Sequence, residues 1–298
     1  MNSIPTAQNA PEQLQLLAAQ RAIYSRAKTI LATQLILALP VAILLSFAAL
    51  YFPASRPYTG LAGVVIATFD AVILTKWQAS LRKAAAEVQE AFDCAVLGLP
   101  WNQVKVKKPS PETIAEWSQR YSDPDNSAPL RDWYRPEFGE LPVGIARLYC
   151  QRSNIVWDAR QRRIYSRILP FMAAGICVLV VTMGLHWQLT MATIVLAAVL
   201  PLAPLFRLSY RDYQDHNGAA NRQEEIIRQI DGALEREATD ASFARAVQDE
   251  IYDYRVRSGL VFDWVFKVLR KSSEDRAKGG AQRVLAEQRR PDKKRNVT

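Results

Sequence analysis

The chain has 298 residues, 38 Lys and Arg against 29 Asp and Glu, and a formal net charge of +9. Its mean hydropathy of −0.09 is the average of very apolar and very polar blocks, so the composition of an ordinary soluble protein is excluded as a description of any one part. Two histidines and three well-separated cysteines, Cys94, Cys150 and Cys177, exclude a zinc pattern or a disulfide framework and predict small buried thiols.

In chain order, the first twenty residues lack a basic n-region and a continuous apolar h-region, so no cleavable signal is expected. Residues 9–29 predict an amphipathic helix. Asn9 with Glu12 three residues on resembles a capping box, and Pro11 suits an early helical position. Residues 31–52 and 57–75 are two apolar runs close to the roughly 20 residues that an α-helix needs to cross hydrocarbon. In lipid a spanning backbone must satisfy its own N–H and C=O groups, so both runs predict transmembrane helices. Pro40 interrupts the hydrogen-bond ladder of the first, and Asp70 is the one acidic residue well inside the second.

Residues 76–97 place Leu81, Ala84, Ala85, Val88, Phe92 and Ala95 at three- and four-residue spacing, one apolar helix face that Gly98 and Pro100 end. Seven prolines between 100 and 142 forbid a long helix there, apart from a short piece at 111–121 that Ser110 can cap. Trp101, Trp117, Trp133, Tyr134 and Phe138 predict that this insert is folded around aromatic packing. A helix resumes at Gly144 and runs into a third apolar run at 168–187, followed by a fourth at 188–208 with Pro201 and Pro204 late in it. The remainder predicts helix with breaks near Gly218 and Gly259, an apolar decapeptide at 260–269 that is too short to span, and a charged tail from 274.

The expected fold class is therefore an all-α membrane protein with four transmembrane helices in two hairpins. The segments are 1–30, 31–75 (first hairpin), 76–167, 168–208 (second hairpin), 209–273 and the tail 274–298. Ile23-Tyr24-Ser25-Arg26 and Ile164-Tyr165-Ser166-Arg167 stand at matching places before the two hairpins, which predicts a duplication of parallel topology. Lys and Arg flank every span on one side, whereas the hairpin tips carry only Arg56 and His186. The positive-inside rule then places both termini and the middle segment in the cytoplasm.

No catalytic constellation, glycine-rich phosphate loop, GxSxG or HExxH is present, so neither an enzyme nor a bound cofactor or metal is expected. Asp70 reads equally as part of an ion path or as an interfacial acid bonded to Thr68 or to a facing basic side chain. The arginines of residues 147–167 read either as a lipid-head and topology signal or as a phosphate pocket. In the second case Arg147, Arg152, Arg160 and Arg163 are the candidate ligands, with Trp157 placed to stack on a base.

The runs QLQLLAAQRAIYSRAK, VQEAFDCAVLGLPWN, DWYRPEFGELPVGIARLYCQRSNIVWDARQRR and VQDEIYDYRVRSGLVFDWVFK are similar to the S-4TM family. These are four-transmembrane effectors associated with bacterial second-messenger nucleotidyltransferases, and the resemblance covers nearly the whole chain. It implies an antiphage role. A cyclic oligonucleotide from a partner nucleotidyltransferase activates the effector, which permeabilises the inner membrane and kills the infected cell. It also implies a homo-oligomer in the lipid bilayer, with no DNA or RNA polymer as partner. The alternative from another class is a non-conducting membrane scaffold or receptor whose cytoplasmic helices bind a protein.

Overall fold

The computed structural model describes residues 1–122, 130–195 and 202–262. Within them the regular structure is entirely helical, in the order α1 (Ile4–Ala7), α2 (Pro11–Ile36), α3 (Ala42–Tyr51), α4 (Arg56–Phe69), α5 (Thr75–Leu97), α6 (Pro111–Gln119), α7 (Val143–His186), α8 (Met191–Ile194), α9 (Ala203–Glu235) and α10 (Ala241–Arg257).

Three continuous rods are long and apolar enough to cross a membrane: Pro11–Ala49, Pro57–Leu97 and Val143–His186. Their most apolar stretches are mostly unburied, with Leu44, Leu61, Val64, Phe171 and Val178 facing outward. A soluble protein rarely leaves such contiguous apolar surface bare, whereas hydrocarbon covers it without cost. The fourth predicted span lies partly outside the described residues, which resume at Leu202.

Proline and glycine set the local geometry. Pro40 has no N–H to give and its ring crowds the preceding turn, and there the first rod widens into a π-helical turn, Leu37–Val41. A second π-helical turn, Asp70–Leu74, joins α4 to α5. Gly98 ends α5 in the left-handed region at φ 60°, and the Leu99 N–H closes back on the Cys94 carbonyl (2.9 Å). Ser110 caps α6 by accepting from the Thr113 N–H at 3.2 Å, as its spacing predicts.

Two expectations are corrected. The capping box does not form. The cap of α2 is Ala10, with Pro11 at the first helical position, while Asn9 turns its amide to the Pro5 carbonyl (3.2 Å) and Asp132 (2.8 Å). Nor does α9 break at Gly218. The helix runs through it, because a glycine costs about 1 kcal/mol and long packing against α7 outweighs that. The break falls instead after Glu235, where Glu237 takes φ 57° and Asp240 caps α10 through the Phe243 N–H.

The main core joins α2, α5, α7, α9 and α10 through Leu17, Phe92, Leu148, Ile155, Ile226 and Ile251. The proline-rich insert is pinned to it by aromatics: Tyr134 stacks on Phe92 (6.1 Å between centroids) and Trp133 meets the same ring edge-on (6.2 Å). A second cluster, Ala38, Ala42, Leu169, Ala173, Leu202 and Leu205, fills the space between the rods. Thus α2, α5, α7 and α9 each continue from the polar body toward or into the apolar level.

Candidate functional site: a basic aromatic cavity

The polar body contains a cavity of about 890 Å³. Into it α2 brings Arg21, Arg26 and Lys28, α5 brings Arg82, the end of α6 brings Arg120, α7 brings Arg162, and α10 brings Arg255. The lining carboxylate is Asp158. Trp117, Trp133 and Trp157 line it together with Tyr24, Tyr121 and Tyr254.

The cations differ in how far they are already engaged. Arg255 is buried and ion-paired with Asp93 at 2.5 Å. Burial opposes its charge, but Asp93 more than offsets this and holds the guanidinium above its ordinary range. Arg162 pairs with Asp158 (2.7 Å), donates to the Gly259 carbonyl (2.7 Å) and lies 3.2 Å from His216 Nδ1. A Cβ at Gly259 would stand 2.8 Å from the buried His216 ring, so this turn accepts only glycine without movement. Arg120 pairs with Glu116 at the rim and covers the Trp117 ring, and Arg21 covers Trp133.

Arg82 is half-buried and takes no part in the ion pairs that hold Arg255 and Arg162. It donates through Nε to the Val256 carbonyl (2.7 Å). Burial pulls it below the ordinary guanidinium range, against the pull of Asp215. Burial also raises the Tyr24 phenol. Three lining groups, Gln20 Oε1, Gln161 Nε2 and Trp133 Nε1, are buried with no hydrogen-bond partner among the described residues. Unsatisfied buried groups are costly, and these three can be satisfied by water or by a polar occupant of the cavity.

The family model described as a SMODS-associating 4TM effector domain matches residues 2–284. The chain belongs to this effector family. It is also 25% identical over 280 residues to a Bacillus cereus (strain VD146) protein described as a probable CBASS effector molecule, covering 90% of this chain and 93% of that one. No solved structure matches it.

In this fold the arginines singled out from the sequence are not gathered into one place. Arg147 caps the end of α5, donating to the carbonyls of Leu97 (2.6 Å) and Gly98 (3.1 Å). Arg152 forks onto Asp231 (2.6 and 3.1 Å). Arg163 reaches Asn217, Asn221 and Glu224 on α9. Arg160 is half-buried on α7 and does not line the cavity. Trp157 does.

Helical rotation explains the split. At about 100° per residue, positions 152, 160 and 163 fall roughly 140–220° around α7 from Arg147, while 154, 157, 158, 161 and 162 fall on the opposite side. The first set faces α9 and the second faces the cavity. The cations of α2 were read from sequence as a topology signal alone. Their signal was present: Arg21, Tyr24 and Lys28 sit at i, i+3 and i+7, one stripe of a helix.

Asp70, on the second rod, is met by side chains of α2 and α9. Gln34 donates to one carboxylate oxygen, and Arg207 donates to the other at 3.3 Å. The described cysteines are free, Cys94 and Cys150 buried in the core and Cys177 half-buried on a rod.

Proposed function

We propose that the chain is a pore-forming effector of CBASS-type antiphage defence. A cyclic oligonucleotide made by a partner nucleotidyltransferase binds the basic cavity on the cytoplasmic side. Binding rearranges the spans, and the resulting homo-oligomer permeabilises the inner membrane and kills the infected cell. The orientation follows the basic flanks of the spans, with both termini cytoplasmic.

One observation carries this reading. The helix that brings Arg21, Tyr24, Arg26 and Lys28 to the cavity continues without interruption into the first apolar rod. A ligand held there acts directly on a spanning element. The chemistry suits a nucleotide: guanidinium forks take phosphate oxygens in pairs, and tryptophan faces stack on bases. The unpaired Gln20, Gln161 and Trp133 groups supply an acceptor and donors for base edges. A cavity of about 890 Å³ suits a small cyclic molecule. Side chains fill the space between the rods of one protomer, so a water-filled path calls for several copies. Ligand binding shifts the spans only through a difference in affinity between two states.

The test is co-expression with an active cyclic-oligonucleotide synthase, read by a membrane-potential dye. Depolarisation that requires both proteins supports the effector reading. Binding of the nucleotide without depolarisation identifies a non-conducting receptor instead.

A further inference from the structure

Between the cavity and the apolar level lies a ring of hydrogen-bonded polar side chains from three elements. Gln34 of α2 is buried, 2% exposed, where the first rod has turned apolar. It donates to Asp70 and to Thr75 Oγ1 (3.3 Å), and accepts from Gln78 at 3.1 Å. From α9, Arg207 donates to Asp70 and Arg211 donates to Thr75 Oγ1 (2.9 Å). Groups on α2, on the α4–α5 junction and on α9 therefore hold one another.

Three facts connect this ring to movement. Both neighbouring rods depart from α geometry beside it, at Leu37–Val41 and at Asp70–Leu74. Such π turns are places where a helix shifts register, and they gather at functional sites. Gln34 stands five residues, about 7.5 Å of rise, beyond Thr29 at the cavity wall. Arg211 stands five residues before His216, whose ring meets Arg162 of the cavity floor. Displacement of α2 or α9 by a ligand is thus delivered to the ring within about two turns.

We infer that Gln34, Asp70, Thr75, Arg207 and Arg211 form a clasp that holds the spans in their non-conducting arrangement and that nucleotide binding releases. This rests on the effector reading above. A carboxylate and a guanidinium at an apolar boundary are costly apart and tolerable when paired or hydrated. The clasp therefore has two stable conditions: paired with the rods together, or separated with water between them. Asp70 is a positioning residue here, since both of its oxygens are occupied by protein donors.

The experiment expresses Asp70→Asn, Arg207→Gln and the exchange Asp70→Arg with Arg207→Asp in a bacterial host, with and without an active cyclic-oligonucleotide synthase. Depolarisation is the readout. Each single variant should depolarise the host without the synthase, at least tenfold above wild type, and the exchange should return it toward the quiet state. Single variants that reach the membrane at wild-type level and stay as quiet as wild type overturn the clasp. If wild type responds to the synthase in that same assay, the effector reading stands without the clasp. If wild type never responds but the single variants leak, the clasp stands and the nucleotide reading fails. For variants that do not accumulate, Thr75→Cys with Arg211→Cys in a cysteine-free background is bridged by a bismaleimide. Bridged protein that still leaks when the synthase is active overturns the clasp, and loss of that leak supports it.

Discussion

Replacing Arg82 by alanine separates the cavity from the arginine face that the sequence suggests. Arg82 carries no ion pair within 4 Å among the described residues, so its fork is available to a phosphate. A hydrogen bond to a charged group contributes about 1.5–3 kcal/mol, so Arg82→Ala should weaken ligand binding by roughly 10- to 150-fold. The lost bond to the Val256 carbonyl costs a further ~1 kcal/mol of stability, which thermal unfolding measures separately. Arg152→Ala is the control. Its carboxylate partner, Asp231, holds both arms of the fork, and the pair is more than a third exposed. It should change affinity by less than about twofold and cost only ~0.2–1 kcal/mol of stability. The assay is quenching of intrinsic fluorescence in the detergent-purified full chain, titrated with a panel of cyclic di- and trinucleotides, since three tryptophans line the cavity. A tenfold loss in Arg152→Ala with wild-type binding in Arg82→Ala would refute the cavity assignment and move the site to the α9-facing side of α7.

Trp157→Ala should lose about 1–3 kcal/mol of stacking in the same titration, while Trp157→Phe keeps most of the affinity. Asp93 accepts from Tyr134 Oη (2.6 Å), Gln248 (3.0 Å) and Arg255 (2.5 Å) in the core, so Asp93→Ala strands a buried guanidinium. The cost of about 3–5 kcal/mol, at roughly 2–4 °C per kcal/mol, should lower the unfolding midpoint by about 6–20 °C. A scanning-fluorimetry shift below about 3 °C would contradict it. Burial raises the Asp215 carboxyl above its ordinary value, although Arg211, Arg82 and His216 pull it down. A raised native pKa means that the fold binds this proton more tightly than the unfolded chain does. The stabilisation is complete below the unfolded carboxylate range and is lost as pH rises through the raised value. Asp215→Asn should therefore melt above wild type at pH 7, with the gap narrowing as pH falls into the carboxylate range. The opposite trend would show that the surrounding arginines dominate.

Much of the fold is legible because its determinants are local. Apolar runs of spanning length, the glycine that ends α5, the serine that caps α6 and the proline that disturbs the first rod each act within a turn or two. What the sequence obscured depends on distant partners. Asn9 gives up its capping role because its side-chain oxygen, the atom that would cap, accepts instead from the backbone N–H of Asp132, more than a hundred residues away (3.1 Å). Gly218 stays helical because α7 lies along α9. The cavity was obscured for the same reason. Its cations come from α2, α5, α6, α7 and α10, and no stretch of the chain holds enough of them to stand out. The arginine-rich stretch of α7 did stand out, but most of its charge serves to bind helix to helix.

The repeated Ile-Tyr-Ser-Arg motif shows how one scaffold supports two tasks. In the first copy Tyr24 lines the cavity, and Ser25 and Arg26 line it with it. In the second copy Tyr165 is buried, packed edge-on against His216 at 4.7 Å, and the Arg167 that follows is exposed. The His216 ring meets Arg162, and Arg162 returns to the cavity. One tyrosine therefore lines the cavity while its counterpart braces the histidine beside it. Each lies on a rod, a turn or two of continuous helix before the rod's apolar stretch begins. The cavity is thus tied to the rods by two routes: directly through α2, and through the braced histidine to α7 and α9. A cavity lined from both α2 and α7 lets an occupant bear on two apolar rods at once, which a site confined to a single half cannot do.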